Sequence, residues 1–113
     1  MEKIRAIIID PNKGTITEEM IVPSLQEFYR IIGCDHIEMF TRSPFLQQTS
    51  HFLYIDEEGS FKPDSKYFVV AGFPQPIKGI AILMKMKPPV EVSATLPVST
   101  VEINVMFELS VKI

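Results

Sequence analysis

Ile4-Arg5-Ala6-Ile7-Ile8-Ile9-Asp10-Pro11-Asn12-Lys13-Gly14-Thr15-Ile16-Thr17 is the stretch on which the fold turns. Charged and apolar residues alternate from Lys3, and the run then becomes continuously apolar at Ile7-Ile8-Ile9. An unbroken apolar run suits a strand buried on both faces, so the second half of this strand belongs in the middle of a sheet. The turn after it has a mechanism: Pro11 fixes φ, the Asp10 carboxylate caps the turn, and Gly14 tolerates positive φ. Thr15 to Ile21 is then the returning arm of a hairpin.

Working outward, Ser24-Leu25-Gln26-Glu27 matches a capping box, with Ser24 accepting from the Glu27 backbone and the Glu27 side chain reaching back. Leu25, Phe28, Tyr29 and Ile32 follow at i, i+3, i+4 and i+7, one face of a helix that Gly33 ends. A helix of about two turns is not stable alone and must dock on the sheet. His36 to Thr41 reads as a strand, broken by Ser43-Pro44 and followed by a loop through Thr49. His51 to Ile55 reads as a strand ending in the acidic turn Asp56-Glu57-Glu58-Gly59. Tyr67 to Ala71 and Ile80 to Met86 read as internal strands. Between them Gly72-Phe73-Pro74-Gln75-Pro76-Ile77-Lys78-Gly79 reads as a loop, stiff in its centre and hinged at both ends.

Lys87-Pro88-Pro89 reads as a short rigid spacer, after which the pattern becomes period two. Val90, Val92, Ala94 and Leu96 alternate with polar residues, and Val101, Ile103, Val105, Phe107, Leu109, Val111 and Ile113 do so again. This predicts a C-terminal β-hairpin over residues 88–113. Thirteen extended residues span roughly 40 Å, about twice an ordinary strand. An apolar face that projects past its sheet needs cover, which favours a homo-oligomer joined through Val105, Phe107, Leu109 and Val111. The expected fold is a β-rich α+β domain: a mostly antiparallel sheet, one short helix packed on it, and the C-terminal hairpin. Residues 1–113 read as one domain, because a hairpin of this size is not independently stable.

Hydrophobic residues make up 46% of the chain and charged residues 22%, which excludes a disordered chain. The net charge of −3 argues against a general nucleic-acid binder, and Lys78, Lys85 and Lys87 are the only modest basic run. Cys34 is the single cysteine, so no intrachain disulfide forms, and a reducing cytoplasm is the expected compartment. No apolar run approaches the roughly 20 residues of a membrane helix.

Several residues could carry chemistry. Cys34, Asp35 and His36 are adjacent and His51 follows, but a metal site needs a second ligand pair, and a thiol after a helix C-terminus has its pKa raised. A buried thiol and a surface histidine explain the same residues, so no metal, cofactor or catalytic residue is assigned. Asp56, Glu57 and Glu58 could hold a cation or act as an acid/base pair, although a solvated turn has the same composition and a calcium loop needs alternate positions. Asp10 and Glu38 are further carboxylates at strand edges. Phe73, Pro74, Gln75 and Pro76 suit ligand or partner contact, since a stiff loop loses little entropy on binding. The alternative is that Phe73 and Ile77 pack back on the core.

Ile4 to Pro11, Leu25 to Glu38 with Ile31-Ile32-Gly33-Cys34-Asp35-His36-Ile37-Glu38 at its end, and Leu53-Tyr54-Ile55-Asp56-Glu57-Glu58-Gly59 occur in that order. Together they resemble a family of small bacteriophage and mobile-element proteins grouped as a domain of unknown function. Tyr67 to Leu83 continues the likeness, which covers about residues 3–84, and Pro88 to Ile113 departs from it. The resemblance brings no catalytic residues; it implies a phage or mobile-element setting, where small acidic proteins often bind host machinery. The expectation is a non-catalytic binding protein, such as a counter-defence factor that occupies a host protein or sequesters a small ligand. The alternatives are an assembly subunit joined through the C-terminal hairpin and a small metal-dependent, nucleotide-directed enzyme using the acidic turn.

Overall fold

The computed structural model describes residues 2–62 and 64–107. The opening hairpin is as the sequence predicts. β1 (Ile4–Asp10) pairs antiparallel with β2 (Thr15–Ile21), and the Asp10 carboxylate accepts from the backbone N–H of Asn12 at 2.9 Å and of Lys13 at 3.3 Å. Gly14 closes the turn at φ 66°. β3 (Ile37–Phe40), β4 (His51–Asp56) and β7 (Ala81–Lys87) complete a path in the order β2-β1-β7-β4-β3, and β8 (Val90–Val92) joins β7. Every pairing is antiparallel. A second antiparallel sheet has the order β6-β5-β9, from β5 (Tyr67–Val70), β6 (Phe73–Lys78) and β9 (Val105–Phe107).

The continuous apolar run of β1 is explained by two cores, one on each face of the first sheet. Ile7 and Ile9 point into a core with Phe40, Leu53, Phe68, Val70, Ile77 and Leu83, which fills the space between the sheets. Ala6 and Ile8 point the opposite way, into a core with Phe28, Ile32, Phe52, Ile82 and Met84 beneath helix α1 (Leu25–Ile32). Each fully buried aliphatic side chain contributes about 1.5–3 kcal/mol, so losing either layer would expose half of the central strand. α1 is capped by Ser24 and closed by Gly33 at φ 77°, but the capping box is half made. The Glu27 carboxylate accepts from Arg30 at 2.9 and 2.7 Å instead of returning to Ser24. Leu25 is exposed, so the buried stripe of α1 is Phe28 and Ile32.

The β-rich α+β class therefore holds, while four local expectations are corrected. Residues 44–49 are not loop but helix α2 (Pro44–Thr49), with Ser43 as N-cap and Pro44 in the first turn, where a missing N–H costs nothing. Residues 73–78 are strand β6, which tolerates Pro74 and Pro76 because it lies at the edge of its sheet. Pro88-Pro89 is the two-residue turn of the β7–β8 hairpin, with Lys87 opposite Val90. Finally, Val98–Asn104 is helix α3, although its residues alternate in sequence. Only Val101 among them is buried, and Ile103 is 84% exposed, so a single inward side chain satisfied one helical turn as well as a strand. The expected C-terminal hairpin is thus divided: β8 extends the first sheet and β9 extends the second. Val105 and Phe107 lie opposite Val70 and Phe68 and pack against the inter-sheet core, while Leu109 and Val111 lie outside the described residues.

Candidate functional site

Strand β6 is held at both ends by contacts that leave no room for a side chain. At its start, the Ser43 hydroxyl donates to the carbonyl of Ala71 at 2.8 Å. Gly72, at φ 82°, faces the Pro44 ring so closely that a Cβ would lie 2.6 Å from Pro44 Cδ. At its end, a Cβ on Gly59 would lie 3.0 Å from the Lys78 carbonyl oxygen, which seats the short 3-10 helix Gly59–Phe61 against β6. These contacts fix the edge strand of the second sheet opposite β3, the edge strand of the first.

Between the two edges runs a cleft of about 270 Å³. Glu38, Phe40 and Arg42 line it from β3 and its continuation, Ile55, Asp56 and Glu57 from the end of β4, and Phe73, Gln75, Pro76, Ile77 and Lys78 from β6. The two segments singled out in sequence, the acidic turn and the proline-flanked segment, therefore meet in one place. Phe40 and Phe73 stack edge to face with centroids 4.8 Å apart. The Arg42 guanidinium lies 5.4 Å from each ring, a position in which ring quadrupoles attract the cation.

The acidic turn does not act as one unit. Asp56 is buried, accepts from the Glu58 backbone at 2.9 Å and binds the Lys62 ammonium at 2.5 Å. That bond raises the Lys62 pKa. Glu57 faces the cleft, and Glu58 faces a wider, open depression on the other side that also includes Cys34, Asp35, Tyr29 and Lys62. Arg42, Glu38 and Glu57 have no ion-pair partner among the described residues. The cleft thus carries the unpaired Arg42 at its aromatic end and, toward the other, the unpaired carboxylates of Glu38 and Glu57 beside Lys78, whose ammonium donates to the Lys62 carbonyl at 3.5 Å, with an apolar floor between them. Pro74 is exposed and does not line the cleft.

Cys34, His36 and His51 do not converge. The Glu57 backbone donates to the His36 carbonyl at 3.0 Å, which places His36 beside the C-terminal end of β4, whereas His51 starts that strand. The Cys34 thiol is pushed up in pKa by burial and then by the Asp56 carboxylate, the opposite of an activated nucleophile. Among the described residues no three of His, Cys, Asp or Glu are placed to share a metal ion. His51 instead fastens the segment after β8, together with Arg5, whose backbone carbonyl accepts from Ala94 at 2.8 Å.

Of the residues at the aromatic end, Phe73 is expected from the sequence as a contact residue, whereas Arg42 and Phe40 are not. Their signal was the alternation Glu38, Phe40, Arg42, which continues the inward face of β3 beyond the strand. No helix among the described residues is long and apolar enough to cross a membrane. The chain matches no family model, no curated protein and no solved structure.

Proposed function

We propose that the protein is a non-catalytic binding protein whose working surface is the cleft between β3 and β6. The observation that carries this reading is the meeting of Arg42, Phe73 and Gln75 with Glu38 and Glu57 around one apolar floor. A few convergent polar groups over apolar walls are what a recognition site requires. Catalysis would require more: a nucleophile, a base in reach of it and a group that orients the base. The cleft offers carboxylates and a guanidinium without that sequence, and its most buried carboxylate, Asp56, is already occupied by Lys62.

The resemblance of residues 3–84 to phage and mobile-element proteins supports a role against a host component, either occupying a host protein or sequestering a small ligand in the cytoplasm. Native mass spectrometry of gently purified protein, compared with its denatured mass, tests the reading. An adduct or partner lost in the Phe73→Ala, Gln75→Ala double variant, with the fold retained, is the expected result. An adduct or partner that survives the double variant would move the binding surface elsewhere.

A second reading, an assembly subunit, is favoured by the exposure of Ile103 and Met106 beside β9. It predicts a wild-type oligomer that the Met106→Lys substitution dissociates without affecting the cleft.

A further inference from the structure

The cleft lies beside an open sheet edge, and this decides what kind of molecule fits it. β3 is the last strand of the first sheet among the described residues. The bond from the Glu57 N–H to the His36 carbonyl sets the phase of the β3–β4 ladder. In an antiparallel ladder hydrogen-bonded pairs alternate, so Glu38–Ile55 and Phe40–Leu53 bond inward. The backbone N–H and C=O groups of Ile37 and Met39 then point away from β4, along the free edge.

We infer that the cleft and this edge together bind an extended peptide segment of a partner protein, laid along β3 as an added strand with alternate side chains entering the cleft. The inference rests on the binding role proposed for the cleft. Backbone bonds to Ile37 and Met39 supply register, and side chains at every second position meet the cleft. Glu38, Phe40 and Arg42 follow one another at that same spacing. The complementary segment therefore carries a basic residue facing Glu38 and Glu57, an apolar residue over Phe40 and Phe73, and an acidic residue on Arg42. The three charged or apolar positions are i, i+2 and i+4 of the peptide. Arg42 is suited to the acidic position because its guanidinium is already held 5.4 Å from both rings before the carboxylate arrives.

This arrangement also explains two features that a small ligand leaves unused. A compact ligand of the cleft would not engage the edge groups of Ile37 and Met39. Nor would it need opposite charges separated by four residues of extended chain, about 13 Å at strand spacing.

Blocked heptapeptides of threonine with lysine, valine and glutamate at the second, fourth and sixth positions test the inference, in that order and in the reverse order. Each is titrated into the isotope-labelled full chain and followed by amide chemical shifts and hydrogen exchange. One order should bind, slow exchange at the Ile37 and Met39 amides and shift Phe73 and Gln75; which order binds reports strand direction. Arg42→Gln should weaken binding about tenfold, the loss of one charge-assisted contact at a partly exposed site. Arg42→Glu should transfer preference to a peptide with lysine in place of the glutamate. Equal binding of peptides bearing two lysines or two glutamates would overturn the inference, as would shifts confined to the cleft without protection of Ile37 and Met39. In that last case cleft binding stands and only the peptide assignment falls. A native adduct lost in the Phe73→Ala, Gln75→Ala variant, with no peptide binding in either order, has the same meaning.

Discussion

His51 Nε2 accepts a hydrogen bond from the Thr95 backbone N–H at 3.0 Å while its Nδ1 lies 2.7 Å from the Thr49 carbonyl oxygen. An amide N–H only donates and a carbonyl only accepts, so the Thr95 N–H requires a neutral ring and the Thr49 carbonyl sets its proton on Nδ1. Protonation would place a second donor against the Thr95 N–H. Burial also pushes the His51 pKa below its ordinary value, with the positive charges of Lys85 and Arg5 acting in the same direction.

The sign of the pH dependence follows. The unfolded chain takes up a proton near pH ~6.5, whereas folded His51 does so only at lower pH. Its contribution is therefore complete above about pH 6.5 and is lost as pH falls toward the folded pKa. Urea midpoints taken between about pH 7.5 and pH 5 should decline for the wild type and decline less for His51→Gln. Parallel curves for the two proteins would show that His51 does not fasten the segment through Thr95.

Ser43 and Gly72 act at the start of β6. The Ser43 hydroxyl donates to Ala71 and accepts from the Leu46 backbone at 3.4 Å, so Ser43→Ala removes a cap and takes away the donor to the Ala71 carbonyl. A loss of about 1–2 kcal/mol is expected. Gly72→Ala combines positive φ with a Cβ overlapping the edge of the Pro44 ring, and should cost about 1–3 kcal/mol or more. Thermal melts of both variants measure this, and an unchanged Gly72→Ala melt would mean that the turn does not seat on α2.

How legible these features are in sequence varies with the range of the contacts that decide them. The β1–β2 hairpin is local: Asp10, Pro11 and Gly14 each do in space what their chemistry implies, and Ile7-Ile8-Ile9 correctly predicts burial on two faces. β6 is harder, because Pro74 and Pro76 exclude a central strand but not an edge strand, and edge position depends on β5 and on β9 from the far end of the chain. α3 is harder still, since an alternating run with one buried residue, Val101, fits either period. Ser43-Pro44 reads in sequence as a strand breaker before a loop, because the helix that it starts as N-cap and first-turn proline is only six residues long. The site divides in the same way: the acidic turn and Phe73–Pro76 stand out by composition, whereas Arg42 gains its role only when β6 brings Phe73 to it.

Arg42 and Phe73 should separate stability from binding. Removing the guanidinium forfeits two partly exposed cation–π contacts, so Arg42→Ala should cost about 1 kcal/mol or less while weakening anion recognition in the cleft. Phe73→Ala removes a partly buried ring packed on the inter-sheet core and should cost about 2–3 kcal/mol. Equilibrium unfolding of the two variants checks the ranking. A larger stability loss for Arg42→Ala than for Phe73→Ala would show that the guanidinium is structural.

Truncation after Lys87 distinguishes an added appendage from an integral part of the fold. An oligomerisation hairpin could be removed with its host domain intact. Here, the removed segment carries Ala94 and Val101, both buried in the inter-sheet core, and β9, whose residues lie opposite Phe68, Val69 and Val70. It also carries Glu91, which accepts the Tyr54 hydroxyl proton at 2.6 Å; burial, and then that bond, push the tyrosine pKa upward. The truncated chain should therefore lose cooperative unfolding, with no sharp transition by circular dichroism. Val101→Ala in the full chain should keep the transition and lower stability by about 1–3 kcal/mol, since it removes buried methyl groups from a site that cannot fully collapse. A truncated chain that still melts cooperatively would make residues 88–113 a dispensable addition.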